Sequence, residues 1–323
     1  VRKVVDDERL MVKVCEMYYD QDMHQKAIAK SLGVSRPTVS RLIKNARALG
    51  IVEIKIKALE GTQHIPLERQ VKRQYGLKEV IVVDTLPELE AQKKLVGEAA
   101  AKYLLKTFKD NDIVGVSMGS TLRCIPEYLK SDTAKNLSFI PLIGGMGYLK
   151  RELHSNYLVE EFAKKTEGTF MLIYAPARVS GKNLKNKLLK EESIAGMINM
   201  INRMRVAVVG IGVPNDQSAI MATGFYNSEE MRKMQQKHVV GDICMQFFDR
   251  HGNTDPFEAD NNVVGIEIKR LRSIPETVGV ACGVEKCEAI IGAIQGGYIN
   301  TLITDEACAK KMLGKGKNIE RNS

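Results

Sequence analysis

The chain lacks the residue patterns that mark most enzyme and metalloprotein classes. Its five histidines are scattered at no metal-ligand spacing. Its six cysteines (Cys15, Cys124, Cys244, Cys282, Cys287 and Cys308) contain no C-x-x-C pair. No metal site is therefore expected. Most of these cysteines lie in apolar runs, so buried free thiols in a reducing compartment are the expected state. No apolar run approaches the ~20 residues needed to cross a bilayer. The first residues are charged and lack the apolar core of a signal peptide. Together these absences predict a cytoplasmic protein with no membrane partner. There is no Walker phosphate loop, no Ser-His-Asp order, no internal repeat and no low-complexity segment, and no cofactor is expected.

What is present is an ordinary globular balance with an uneven distribution of charge. The 323 residues are 44% hydrophobic and 27% charged, enough for one small and one large domain. The net charge is +9, and residues 1–57 hold 12 basic and 7 acidic side chains, so +5 of the excess sits there. That asymmetry points to a polyanionic partner for the N-terminal part alone.

The stretch Gln25 to Ile56 reads QKAIAKSLGVSRPTVSRLIKNARALGIVEIKI. Gln25 to Leu32 has a helical pattern, and Gly33 supplies the left-handed backbone of a tight turn. Ser35 is placed to cap a second helix, with Pro37 in its first turn, where a missing N–H costs nothing. Val39, Leu42, Ile43 and Ala46 make one buried stripe. The opposite face carries Arg36, Pro37, Ser40, Arg41 and Lys44. Gly50 closes the helix, and Ile51 to Ile56 alternates like a short strand. Helix, glycine turn and a basic-faced helix make a helix-turn-helix. Arg36 is placed to reach a guanine edge, and Ser40 a base or a phosphate. Arg41, Lys44 and Arg47 suit phosphates, which fix position without reading sequence. The same surface takes in Gln25, Ser35 and Thr38. From Met23 to Lys57 there are eight Lys or Arg and one acidic residue, or +7.

Around this element, Arg9 to Tyr18 is a bracing helix, with Leu10, Met11, Val14, Met17 and Tyr18 facing inward. Ala58 to Pro66 is a hinge, and Pro66 to Tyr75 a short charged helix with an apolar stripe at Leu67, Val71 and Tyr75. The predicted boundaries are 1–57, a linker with a short helix over 58–76, and a large domain over 77–323. In that domain short β-branched runs alternate with helices. The runs are Val80–Val83, Ile113–Val116, Phe139–Leu142, Phe170–Tyr174, Val206–Val209, Val263–Ile266, Val278–Ala281 and Leu302–Thr304. The helices include Glu90–Phe108, Thr121–Leu129, Tyr157–Lys165, Glu285–Ile294 and Glu306–Leu313. This order predicts an α/β fold, a doubly wound and mainly parallel sheet covered on both faces. Ligands of such sheets sit beyond the carboxyl ends of the strands.

At those ends, IVGVSMGST (Ile113–Thr121) offers Gly119, Ser120 and Thr121 as an anion site at a helix start. LIGGMG (Leu142–Gly147) offers close backbone approach at Gly144 and Gly145. VGIGVP (Val209–Pro214) is a weaker third candidate. Asp242 in VVGDI and Lys286 after a strand are the charged candidates, against readings as a solvated turn residue and a surface lysine.

The stretches QKAIAKSLGVSRPTVSRLIKNA, DIVGVSMGST, PLIGGMG, AVVGIG, VVGDICMQFFDRHGN and LITDEACAKKML resemble the SorC family of bacterial transcriptional regulators, in the family's order and over nearly the whole chain. The resemblance implies a winged helix-turn-helix followed by an effector domain similar to sugar-phosphate isomerases and deaminases. It implies a phosphorylated sugar as effector, double-stranded operator DNA as partner, and self-association as a dimer or tetramer. By position it places Gly119, Ser120 and Thr121 on the phosphate, Gly144 and Gly145 beside the sugar, Asp242 on hydroxyls and Lys286 on phosphate or a sugar oxygen. His154 lies near a polar contact position. Just before the paired glycines, where relatives can carry a basic residue, this chain has Ile143. An unpaired second phosphate there would be costly to bury, which favours a monophosphate.

The competing reading is a sugar-phosphate isomerase or deaminase with an added DNA-binding arm. It needs a general base with a positioned acid partner, and Asp84 and Asp242 are the only carboxylates to nominate. A protein-binding helical adaptor would leave the Gly119–Thr121 loop unexplained. The sequence reads best as a ligand-responsive repressor, not an enzyme. Arg36→Ala is expected to weaken specific operator binding by ~1–3 kcal/mol if it reads a base, measured by titration against the specific duplex.

Overall fold

The computed structural model describes residues 7–54, 63–131, 134–146, 150–215 and 218–319. The chain forms two compact units, Val1–Glu60 and Gly61–Ser323.

The described residues of the first unit form three helices, α1 (Glu8–Tyr19), α2 (Gln25–Leu32) and α3 (Arg36–Ala48). Asp7 caps α1 by accepting from the Leu10 amide at 3.1 Å. Gly33, at φ 65°, ends α2 in the left-handed region, and its N–H donates to the Ala29 carbonyl. The Ser35 hydroxyl caps α3 by accepting from the Thr38 amide at 3.3 Å. Met11, Val14, Ile28, Val39, Leu42, Ile43 and Ala46 interlock as the core; Leu10 and Tyr18 pack at its margin. The expected strand at Ile51–Ile56 is corrected in part. Residues 51–54 form no strand, because the Val52 amide folds back onto the Ala46 carbonyl and Ile51 and Val52 pack against the core. Lys55 and Ile56 lie outside the described residues, as does the hinge over 58–62.

The second unit begins with α4 (Ile65–Tyr75). Val71 is buried, the Tyr75 hydroxyl donates to the Met312 carbonyl at 2.7 Å, and Glu68 accepts from the Val82 amide at 2.9 Å. This helix, expected to fall in a linker, therefore packs as part of the larger unit.

Seven parallel strands follow: β1 (Glu79–Val83), β2 (Ile113–Val116), β3 (Ser138–Pro141), β4 (Thr169–Phe170), β5 (Val206–Gly210), β8 (Glu276–Val280) and β9 (Thr301–Asp305). β6 (Gly241–Ile243) and β7 (Gln246–Phe248) pair separately, antiparallel. The sheet order is β1-β9-β8-β5-β2-β3-β4. Alternate residues serve opposite faces, as a doubly covered sheet demands. Val206 and Val208 join a core with Val96 and Leu104 of α5 (Leu89–Thr107) and Phe162 of α6 (Ser155–Thr166). Ala207 and Val209 join the other core, with Ile290 of α11 (Cys287–Gln295) and Met312 of α12 (Glu306–Ile319). All six cysteines are buried and free.

Three expected elements differ. Thr121–Leu129 forms two 3₁₀ turns, Leu122–Cys124 and Pro126–Tyr128, instead of one helix, since Pro126 has no N–H to continue the ladder. Val263–Ile266 makes only isolated bridges, Ile143 to Gly265 and Arg178 to Val263. β4 stops at Phe170, short of Tyr174. Sequence reading also missed α7 (Lys182–Leu188), α8 (Glu192–Ile201), α9 (Ala219–Ala222), α10 (Ser228–Gln236) and the β6–β7 hairpin. The hairpin turn is Cys244-Met245, both in the left-handed region at φ 51° and 59°. Such a turn ordinarily calls for Asn-Gly.

Charges at the amino ends of the strands are paired. Arg205 grips Asp112 through both Nε and Nη2, joining the approaches to β5 and β2. Burial would raise the Glu276 carboxyl, but Lys78, Thr301 and Tyr103 donate to it and hold it below the ordinary range. Asp112→Ala would leave Arg205 without its carboxylate and is expected to cost about 3 kcal/mol of stability, read by urea denaturation.

Candidate functional site

In the first unit, Arg36, Pro37, Ser40, Arg41 and Lys44 are exposed along the outer face of α3. Gln25 opens α2 and is half-buried. Ser35 and Thr38 are engaged with each other, their hydroxyls 2.8 Å apart, so they shape the start of α3. Arg47 is turned away from the phosphate role expected of it. Its guanidinium donates to the Tyr19 hydroxyl from Nε at 2.8 Å and Nη2 at 2.5 Å, tying α3 to α1.

In the second unit the sheet has one reversal of strand order. From β2 the chain proceeds outward to β3 and β4; from β5 it proceeds the other way, to β8 and β9. The crevice at the carboxyl ends of β2 and β5 is thus the switch point where such sheets bind ligands. Ser117 secures it: its buried hydroxyl accepts from the Gly210 amide at 3.0 Å, joining the two strand ends. Gly119 follows, its amide donating to the Leu153 carbonyl at 3.3 Å. No described residue accepts from the amides of Ser120 or Thr121. The Thr121 hydroxyl lies against Cys282, past the end of β8, whose thiol burial pushes up to about 11. His154, at the start of α6, is carried to the same edge by Ser155, whose hydroxyl donates to the Val116 carbonyl at 2.5 Å.

Asp242 arrives from the hairpin. Its carboxylate lies over Gly212, where a Cβ would fall 1.9 Å from Oδ1. That close approach explains the glycine in the weak Val209–Pro214 motif. Asp242 is 7% exposed. Burial raises its carboxyl to about 6, opposed by the Lys286 charge and by the Met245 amide. Lys286 sits in the 3₁₀ turn that leads into α11, past β8. Gly119, Ser120, Thr121, Asp242 and Lys286 therefore gather at the carboxyl ends of β2, β5 and β8.

The paired glycines are held by backbone hydrogen bonds, and one of them serves packing. The Gly144 amide donates to the Val264 carbonyl and the Gly145 amide to the Ala175 carbonyl, at 2.9 and 2.8 Å. A Cβ on Gly144 would meet the Ala175 oxygen at 2.6 Å, so that glycine is required by packing. Gly145 alone is partly exposed. Ile143 is fully buried and bridges to Gly265, so no cation stands beside the glycines at that position. Asp84 does have a partner that sequence reading missed: His64 Nε2 lies 2.7 Å from its Oδ1. That pair stands at the end of β1, on the sheet edge, three strands from β5.

A helix-turn-helix unit joined to a parallel sheet with a polar switch-point crevice defines a class: transcriptional regulators that carry a sugar-binding domain. Residues 60–314 match the family described as "Putative sugar-binding domain". The chain is 34% identical to the sorbitol operon regulator of Klebsiella pneumoniae over 312 residues, 95% of this chain and 98% of that one. It is 29% identical to the deoxyribonucleoside regulator of Bacillus subtilis (strain 168) over 310 residues, 95% and 98% of the two chains. The crystal structure of the full-length sorbitol operon regulator SorC from Klebsiella pneumoniae superposes with a TM-score of 0.74, covering 95% of this chain and 99% of that one at 34% identity. The chain belongs to the SorC family. It is a transcriptional regulator and not an isomerase or deaminase. No helix among the described residues is long and apolar enough to cross a membrane.

A carboxyl that titrates near 6 in the folded chain, against an ordinary 3.8, holds its proton more tightly when folded. Its contribution to stability is then fully present below pH ~4, declines as pH rises to ~6 and is absent above, a difference of roughly 3 kcal/mol. Asp242→Asn is expected to remove that decline and to raise stability at pH 7 in the ligand-free protein, as measured by denaturation across pH 4–8.

Proposed function

We propose that the chain is a cytoplasmic repressor whose hold on its operator is set by a monophosphorylated sugar. The observation that carries the reading is the pair of amides at Ser120 and Thr121 that meet no acceptor among the described residues, with Lys286 and Asp242 gathered at the same switch-point edge. Free N–H groups and a lysine suit a phosphate. A buried carboxylate beside them suits sugar hydroxyls, which donate to it. Gly119 allows the bend and Gly145 the close passage of a ring, while Gly144 keeps the wall in place. Ile143 offers a second phosphate no cation, which supports a monophosphate over a bisphosphate.

On the DNA side, Arg36 and Ser40 read the major groove, and Arg41 and Lys44 hold phosphates, with Ser35, Pro37, Thr38 and Gln25 setting the entry of the reading helix. A dimer or tetramer would set half-site spacing. The effector acts by binding the operator-competent and operator-free arrangements with different affinity.

Isothermal titration with matched mono- and bisphosphates of pentoses and hexoses tests the ligand class. A monophosphate is expected to bind more tightly, and a clear preference for a bisphosphate would overturn the assignment. Thr121→Val should abolish the effector response while operator binding persists; an unchanged response would remove Thr121 from the site.

A further inference from the structure

The second unit contains a cavity of about 360 Å³ that none of the carboxyl-edge residues lines. Its rim is one face of α7, where Lys182, Lys185 and Asn186 fall three and four residues apart. Among the described residues, Lys182 and Lys185 form no ion pair. Lys185 is half-buried; burial pushes its ammonium below the ordinary lysine range, with Glu267 acting against that and Lys182 adding to it. The third lysine of the wall, Lys269, is already bound to Asp255 and Glu258, at 3.2 and 2.5 Å.

The floor is aromatic. The rings of Tyr226 and Phe247 stand 5.3 Å apart, and those of Phe247 and Phe257 6.2 Å apart. Gln246 is fully used in fixing the wall, donating to the Ile266 carbonyl at 2.7 Å and accepting from the Ile268 amide at 3.1 Å. Thr254, 6% exposed, is buried against the Tyr298 hydroxyl.

We propose that this cavity is a second ligand site, for a small organic anion that joins a flat apolar body to a phosphate or carboxylate. Of the two carboxylates that line the cavity, Glu258 is taken up by Lys269 and Glu267 acts on Lys185 without forming an ion pair among the described residues, so an anion at the rim would meet the ammonium groups of Lys182 and Lys185 directly. The buried rings of Tyr226, Phe247 and Phe257 give the cavity an apolar floor, with the Arg178 guanidinium over Tyr226 at 4.1 Å, and the volume falls within the ~300–1,000 Å³ of small-molecule sites. The site is tied to the carboxyl edge through the hairpin. Asp242 lies on one arm, while Met245, Gln246 and Phe247 line the cavity, and the buried left-handed turn at Cys244-Met245 joins the two. A ligand that fixes the cavity arm biases the Asp242 arm. The two ligands then alter each other's affinity by the same factor. The chain would integrate two metabolite signals, whatever ligand the carboxyl edge takes.

The test is isothermal titration of the full chain with adenosine 5′-monophosphate and with benzoate, beside adenosine and inorganic phosphate as half-probes. At least one of the two complete probes is expected to bind saturably, on the order of tenfold more tightly than either half-probe. The Lys182→Met/Lys185→Met variant should lose that affinity by a similar factor, with Lys185→Gln as a milder companion should the double variant melt early. Thr121→Val should leave it unchanged. No saturable heat from either probe overturns the proposal. So does binding that both lysine variants retain, or binding that Thr121→Val abolishes, which would place the probe at the carboxyl edge.

Discussion

The larger unit depends on one topological constraint: the chain leaves β2 in one direction across the sheet and β5 in the other. Two neighbouring strands whose connections diverge cannot have a covered carboxyl edge between them. The Ser117 hydroxyl, accepting from the Gly210 amide, keeps these strand ends together while the loops part above them. In the opening stand the amides of Ser120 and Thr121, which meet no acceptor among the described residues. The Asp242 carboxyl, raised by burial, and the Lys286 charge that opposes that shift stand at the same edge, where the proposed ligand would bind.

The two ends of the same sheet make the contrast plain. At the amino ends, Asp112 with Arg205 and Glu276 with Lys78, Tyr103 and Thr301 form closed networks in which each buried carboxylate has its donors. Such pairs fix the fold and leave nothing over for chemistry. At the carboxyl ends Asp305 is likewise closed, accepting from the Gly283 and Cys308 amides, whereas burial pushes the Asp242 carboxyl upward. Buried carboxylates of one chemical type thus behave differently within one sheet, and the difference lies in what surrounds them.

How much of this was legible in the sequence follows from how local each signal is. The helix-turn-helix was readable because a cap, a glycine and an apolar stripe fall within a few dozen residues. The strands of the central sheet were readable because residues buried on both faces leave continuous β-branched runs. The strand was over-read at its start: the alternation at Ile51 and Val52 reports packing against the small core. Gly144 looked like a ligand contact, whereas its lack of a Cβ serves the segment at Ala175. The β6–β7 hairpin was hidden because Cys244 and Met245 occupy a turn that normally announces itself with Asn-Gly. Partners distant in sequence, such as His64 for Asp84 and Cys282 for Thr121, left no trace at all before the fold brought them together. The resemblance of the motifs to SorC regulators supplied the order of the parts, and the comparisons placed the chain in that family.

The central claim is that a small anion at the switch-point edge governs the grip of the basic helix on DNA. It is tested most directly by titrating the purified chain onto a duplex bearing its own promoter, by fluorescence anisotropy, across a panel of sugar monophosphates. The account predicts sequence-specific binding whose affinity changes by about tenfold or more with one of them. Affinity that stays the same across the whole panel, or no binding to the duplex under any of these conditions, would contradict it.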